Sequence, residues 1–199
     1  MLTVSERASE EGVQVLVFPR VPGLSQSGLL DAFLRNAAER APGLSLLSPA
    51  LRYTGIGALE PRPTGLGRTL VLWSDDCIDP SFFEQIQRLE CDAVVWLFDG
   101  EDALQAEATL ELALDASLRL APLVIVAASH GRVRGFSFCG ASGIAYLGEI
   151  VSEGGSSDDL LVAQVPAPAR FPERPRTLPE PAPILLQRLA AHAAQRAEA

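Results

Sequence analysis

The stretch from Gly65 to Phe98, GLGRTLVLWSDDCIDPSFFEQIQRLECDAVVWLF, decides the fold. Leu70–Trp73 is a short apolar run with β-favouring residues, which predicts a strand. Asp79 and Pro80 then supply a helix N-cap and a proline at the first helical position, and the apolar residues that follow recur at helical spacing. Asp92–Phe98 predicts a second buried strand. Strand, helix and strand in this order predict an α/β fold with parallel strands.

Polar residues follow two of the predicted strands directly. Ser74, Asp75 and Asp76 come after the first strand, and His130 comes after a later one, Leu123–Ala128. Ligands of open α/β sheets bind at the carboxyl ends of such strands, so all four residues are candidate binding or catalytic groups. A loop histidine with no visible partner is more often an ordinary residue, and that reading of His130 stays open.

The same stretch resembles the nucleophile elbow of the nitrilase superfamily of carbon–nitrogen hydrolases. There, a glycine and a basic residue open a strand that ends at the nucleophilic cysteine, and a helix then leads to a glycine-alanine-aspartate triplet. Gly67 and Arg68 match the opening, Pro80 matches a proline of the elbow, and Glu90–Asp92 falls on the triplet without gaps. Leu70 departs from the pattern, because glycine is usual at that position.

A second block resembles the late hairpin of the same superfamily. It runs from Phe136 to Val151, with Gly148 suited to the tight turn between two strands. The resemblance implies an α/β fold, a nitrilase-like layered α-β-β-α sandwich, truncated at the N-terminus. We expect this domain over residues 1–165 with Asp159–Val165 as its closing strand, then a proline-rich extended tail over 166–183 and a C-terminal helix over 184–199.

The resemblance also implies where the chemistry would lie, and the expected residues are absent. Ser74 falls on the position of the cysteine nucleophile, and Arg20 falls on the position of the glutamate general base. The family's third catalytic residue is a lysine, and all sixteen basic residues here are arginine. Cys77 lies three residues after the nucleophile position and is the alternative, displaced nucleophile.

Composition narrows the function classes. The chain has 199 residues, of which 48% are hydrophobic and 21% charged, and this indicates an ordered globular protein. Its net charge of −9 argues against binding to nucleic acid or to anionic membranes. The three cysteines form no metal-type pair and no disulfide framework, so we expect reduced core thiols, no cofactor and no metal. No basic and apolar signal segment opens the sequence, and no apolar run is long enough to span a bilayer, so we expect a cytoplasmic protein.

Three functions remain open at the level of sequence. The first is a carbon–nitrogen hydrolase-like protein without the family's chemistry, which binds a small amide or nitrile-like ligand, forms a homo-oligomer or pairs with an active relative. The second is an active amidase-type hydrolase that uses Cys77 or Ser74 with other helper residues. The third is an unrelated α/β binding domain, which would lack a two-sheet sandwich.

Overall fold

A six-stranded mixed sheet forms the centre of the fold. The computed structural model describes residues 2–19, 29–41, 43–47, 60–73, 85–98, 103–133, 136–154, 160–166 and 168–170. The helices with described bounds are α1 (Leu2–Glu10), α2 (Leu29–Arg40) and α3 (Ala103–Arg119), and residues 85–88 are also helical. The strands are β1 (Val15–Val17), β2 (Ser45–Leu47), β3 (Arg62–Thr64), β4 (Gly67–Trp73), β5 (Ala93–Phe98), β6 (Leu123–Ala128), β7 (His130–Val133), β8 (Phe136–Cys139), β9 (Gly143–Tyr146) and β10 (Glu149–Glu153).

The strand order of the central sheet is β10-β9-β6-β5-β4-β3. Its inner strands β4, β5 and β6 run parallel, as the sequence predicts, and β3, β9 and β10 pair antiparallel with their neighbours. β1 and β2 form a separate parallel pair, and β7 and β8 form an antiparallel ribbon. All six side chains of β5 are buried, as expected for a parallel strand that is covered on both faces.

Helix α3 covers one face of the central sheet. Alternate residues of β4, β5 and β6 point to this helix, because successive side chains of a strand face opposite ways. We call the resulting cluster the α3-side core. The residues that β4, β5 and β6 contribute are Leu70, Leu72, Val94, Trp96, Phe98, Val124, Val126 and Ala128, and those that α3 contributes are Ala106, Ala108, Leu112, Ala113 and Ala116. Alanines on the helix leave room for the large aromatic residues of β5.

The other face of the central sheet packs on the β1–β2 pair. We call this cluster the inter-sheet core. The central sheet contributes Val71, Ala93, Val95, Leu97, Leu123 and Ala127, and the small pair contributes Val15, Val17 and Leu47. The two sheets therefore form a sandwich. This excludes the third function considered above, an α/β binding domain that lacks a two-sheet sandwich.

A third layer of contacts closes the far side of the β1–β2 pair. Leu16 and Phe18 alternate with Val15 and Val17 and point away from the central sheet. They cluster with residues of α1 and of the segment after α2, namely Ala8, Ala41 and Leu44. The order of layers is thus helix, sheet, sheet and helices, and the predicted α-β-β-α sandwich is confirmed.

Two regions differ from the sequence prediction. Residues 160–166 form no strand, although Asp159–Val165 had been expected to close the sandwich. Exposed and half-buried residues alternate over 161–166, but no described strand pairs with the segment. The 136–151 block is also not one hairpin, since Phe136–Cys139 pairs with β7 while β9 pairs with β10. Gly148 does occupy the β9–β10 turn, with φ of +84°.

The packed core continues past Val165. Ala169 is 1% exposed and belongs to the inter-sheet core, and Pro168 lies against Gly67. The division into a domain, a tail and a terminal helix stays a prediction, since residues 171–199 lie outside the described part of the chain.

Reciprocal backbone and side-chain hydrogen bonds join the starts of β4 and β5. The Arg68 N–H donates to Asp92 Oδ2 at 2.8 Å, and the Asp92 N–H donates to the Arg68 carbonyl at 2.9 Å. The Arg68 guanidinium also donates to the Leu89 carbonyl at 3.1 Å. Ladder pairing of Thr69 with Ala93 begins immediately after this contact. The two ends of the predicted motif, 24 residues apart, therefore set the register of the parallel pair.

Substituting Gly67 with alanine should disrupt this contact. Gly67 has φ of +92°, and a Cβ there would lie 2.7 Å from Pro168 Cβ and 2.9 Å from Asp92 Cβ. The strain of a positive φ and the loss of a hydrogen bond to a charged group together predict a loss of roughly 3 kcal/mol in the free energy of unfolding. Urea unfolding would measure it. Gly43→Ala is the control, because nothing lies within 4 Å of that site, and an equal loss in both variants would contradict the assignment.

Glu90 holds a backbone conformation that suits glycine. Its φ is +54°, and it stands where the nitrilase triplet has glycine. Glu90→Gly should therefore be more stable than Glu90→Ala by about 1 kcal/mol, because only glycine relieves the left-handed strain. Both variants remove the carboxylate, so their difference in urea midpoint isolates the backbone effect. Equal midpoints would show that no strain is stored at residue 90.

Candidate functional site

The carboxyl ends of β4, β5 and β6 meet at one edge of the central sheet. Trp73 is in register with Leu97, and Phe98 is in register with Ala128. The Ser129 N–H donates to the Phe98 carbonyl at 3.1 Å, which extends the β5–β6 pairing by one residue. Polar residues that follow these strands in the sequence thus leave the sheet at the same edge, the usual place for ligands in this class of sheet.

Most of the predicted site residues cannot be positioned on this edge. Ser74, Asp75, Asp76 and Cys77, and likewise Arg20, lie outside the described residues. Their roles therefore stay predictions.

The described strands nevertheless lead to both catalytic positions. β4 ends at the residue before Ser74, and β1 ends at Val17, three residues before Arg20. The Phe18 N–H donates to the Leu47 carbonyl at 2.9 Å, so the parallel β1–β2 pairing continues to that point.

His130 is the predicted site residue that the structure describes. It begins β7 at the carboxyl edge and is half-buried, opposite Cys139 of β8. Its Nδ1 is buried and has no hydrogen-bond partner. The histidine is thus part of a strand ribbon and not of an irregular loop, and one of its ring nitrogens is uncommitted.

Ser142 lies in the turn from β8 to β9 and binds the end of β6. Its Oγ accepts a hydrogen bond from the Ala128 N–H at 3.0 Å, and β9 begins at the next residue. The hydroxyl therefore accepts the hydrogen bond that a backbone carbonyl of a neighbouring strand would otherwise accept from the last residue of β6. Ala141, just before it, has φ of +72°, which turns the chain from β8 into β9. Ser142 lies in the block that resembles the family's late hairpin, but the sequence did not assign this structural role to it.

Ser142→Ala should destabilise the protein by about 1–3 kcal/mol, because it leaves the buried N–H of Ala128 without its acceptor. Ser137→Ala is the matched control on the exposed side of β8 and should change the free energy of unfolding by less than about 0.5 kcal/mol. Thermal or urea unfolding would check both. A neutral Ser142→Ala would mean that water replaces the hydroxyl at no cost.

The described residues contain no group of three or more histidine, cysteine, aspartate or glutamate side chains placed to hold a metal ion. Cys91 is buried and Cys139 half-buried, and neither forms a disulfide. Over the same described residues, every helix is too short or too polar to span a bilayer.

Solved structures with a similar fold include amidases. One is a mutant of the amidase from Nesterenkonia sp. AN1 that shows covalent addition of the acetamide moiety of fluoroacetamide at its active site cysteine. It is 19% identical, with a TM-score of 0.64 over 83% of this chain and 82% of that chain. A cysteine-to-serine mutant of the Nesterenkonia AN1 amidase, from the nitrilase superfamily, is 19% identical, with a TM-score of 0.65 over 98% of this chain and 88% of that chain.

A third structure is a mutant of the amidase from Nesterenkonia sp. AN1 in complex with butyramide. It is 18% identical, with a TM-score of 0.64 over 98% of this chain and 88% of that chain. No protein-family model matches the sequence, and no curated protein matches it either.

The chain therefore has the layered α/β fold of carbon–nitrogen hydrolases. More particularly, it has the fold of nitrilase-superfamily amidases, and the resemblance inferred from the two sequence blocks is confirmed at the level of fold. Identities below 20% do not carry the activity of those amidases to this chain.

Proposed function

We propose that this chain is a carbon–nitrogen hydrolase-like protein that does not hydrolyse amides and instead serves as a binding module or oligomer partner. Its ligand would be a small amide or nitrile-like molecule held at the carboxyl edge of the central sheet. Its partner would be a second copy or an active relative.

The observation that carries this proposal is the Gly67–Asp92 alignment. Both ends of the motif have a structural role: Gly67 needs a positive φ, and Asp92 binds the Arg68 backbone. This supports the ungapped register, in which the residue directly after β4 is Ser74. A serine hydroxyl is a weak nucleophile unless a neighbouring base takes its proton.

The other two catalytic positions also lack the required chemistry. Arg20 stands at the position of the general base, and a guanidinium does not accept a proton in proteins. No lysine is present anywhere in the sequence to stabilise a tetrahedral oxyanion. The family's nucleophile, general base and lysine are therefore all missing. Each loss removes a separate contribution to lowering the activation barrier of amide hydrolysis.

The alternative function is an active amidase that uses Cys77 or Ser74. The sequence predicts Cys77 in a turn before a helix N-terminus, an environment that favours a thiolate, and the amidases of similar fold include one with an active site cysteine. Because Cys77 is displaced from the nucleophile position, this alternative needs helper residues other than those of the family.

Ammonia release from small amides decides between the two functions. The proposal expects no release above the buffer rate from acetamide or butyramide, either for the wild-type protein or for Ser74→Ala and Cys77→Ala. Turnover by the wild-type protein that Cys77→Ala or Ser74→Ala abolishes would instead establish an amidase.

Binding is measured in parallel on the same proteins. Calorimetry with butyramide should show heat of binding that falls with Asp76→Asn, and sedimentation should report the oligomeric state. No binding together with a strictly monomeric protein would remove the basis for the proposal.

A further inference from the structure

An extended segment lies against the sandwich after β10. We call residues 160–166 and 168–169 the strap. Exposed and half-buried residues alternate over 161–166, which is the pattern of extended backbone with one face against the protein. No backbone hydrogen bond and no strand ladder joins the strap to another described residue. Within the described part of the chain, the strap is therefore held by its side chains.

The strap returns to the point where the chain leaves the central sheet. β10 runs parallel to β6, because both strands pair antiparallel with β9, and Gly154 follows β10 at the carboxyl edge. The Gly154 N–H donates to the Ser142 carbonyl at 2.9 Å. Leu161 packs on this glycine, with its Cδ1 3.2 Å from the place that a Cβ would occupy. The chain must therefore reverse between residues 154 and 161.

The other contacts of the strap join it to both layers of the sandwich. Leu160 packs on the cluster at the far side of the β1–β2 pair, and Val165 packs against the inter-sheet core. Ala169 belongs to that core and is 1% exposed, and Pro168 lies against Gly67 at the start of β4. All the described residues that receive the strap precede it in the chain.

A second copy of the chain presents the same receiving surface. When two copies exchange an identical element, the contacts of the closed chain re-form in the dimer, and the two states differ in the connection to that element. Here the connection is residues 155–159, with the sequence Gly-Ser-Ser-Asp-Asp. In the closed chain this short connection has to reverse direction, whereas in an exchanged dimer it runs on to the neighbouring copy. A short connection of this kind favours exchange.

We propose that the partner of this chain is a second copy and that two copies dimerise by exchanging their straps. Leu161 of each copy packs on Gly154 of the other, and Ala169 of each copy enters the inter-sheet core of the other. Opening the strap breaks no backbone hydrogen bond to a described residue, and the side-chain contacts that it loses re-form in the dimer. The proposal rests on the second-copy form of the proposed function and states how the two copies are joined.

Cysteines at the Gly154–Leu161 contact test the exchange directly. Gly154→Cys and Leu161→Cys are made as separate proteins, mixed, incubated and then mildly oxidised. A Cβ on Gly154 would lie 3.5 Å from Leu161 Cγ, which is close enough for a disulfide once both residues are cysteine. Cleavage after arginine leaves both positions on peptide 135–170. We expect a disulfide-linked pair of these peptides, one with each substitution, in an amount that rises with protein concentration.

Each variant oxidised alone is the control, because disulfides through the three native cysteines form there as well. The double variant Gly154→Cys/Leu161→Cys, oxidised at high dilution, should form the bond within one chain. If it does so and the mixture gives no mixed pair, the exchange is wrong. The melting temperature of each variant confirms that the protein tested is folded.

The length of the connection gives a second test that needs no disulfide. Deletion of residues 155–157 hinders the reversal and should tighten the dimer dissociation constant about tenfold, and insertion of six glycine and serine residues should weaken it about tenfold. Leu160→Ala is the control, because it removes a contact that both states share. It should lower the melting temperature but change the dissociation constant by less than about twofold.

Sedimentation of these variants decides between exchange and ordinary docking. A dimer whose dissociation constant ignores both changes in length docks through another surface, and this result overturns the exchange, as does a wild-type protein that stays monomeric at every concentration. Butyramide binding is measured on the same samples. A dimer without exchange, or a monomer that binds butyramide, contradicts this inference alone and leaves the proposed function in place.

Discussion

The reciprocal contact between Arg68 and Asp92 is the constraint on which the rest of the structure depends. A parallel pair has no hairpin to set its register, so some other contact must fix which residues lie opposite each other. Here two hydrogen bonds and a positive-φ glycine do so at the first residues of β4 and β5. A shift of β4 by one residue against β5 would exchange the two faces of β4. Its α3-side residues, Leu70 and Leu72, would then point toward the β1–β2 pair.

The sandwich follows from burial on both faces of that sheet. Trp96 and Phe98 of β5 need deep space on the α3 side, and the alanines of α3 supply it. Val95 and Leu97 point to the opposite face of the sheet. They leave a shallower surface there, on which the three-residue strands β1 and β2 pack. Once β1 lies there, its other two side chains, Leu16 and Phe18, must be covered in turn, and α1 with the segment after α2 covers them. Each layer thus creates the apolar surface that the next layer buries.

Much of this architecture could be predicted from the sequence, because parallel strands, amphipathic helices and the spacing from Gly67 to Asp92 are local or periodic signals. The closing strand at 159–165 was predicted wrongly, since a resemblance in a short apolar run does not show whether a partner strand exists. Strand pairing in the 136–151 block was predicted only in part. The turn at Gly148 is a local signal, whereas the pairing of Phe136–Cys139 with residues before it depends on how the chain leaves β6. For the site, His130 was identified from its place after a strand, but its neighbour Cys139 is nine residues away and becomes adjacent only through the ladder.

The residues that build this fold and the residues that would catalyse its chemistry are different sets. Gly67, Arg68 and Asp92 act through backbone conformation and hydrogen bonding at the amino ends of the strands, whereas the resemblance puts the nucleophile position after the carboxyl end of β4. Replacing a cysteine by Ser74 after the strand therefore leaves the register contact intact. This separation lets the scaffold keep its register whichever residues follow the carboxyl ends of the strands.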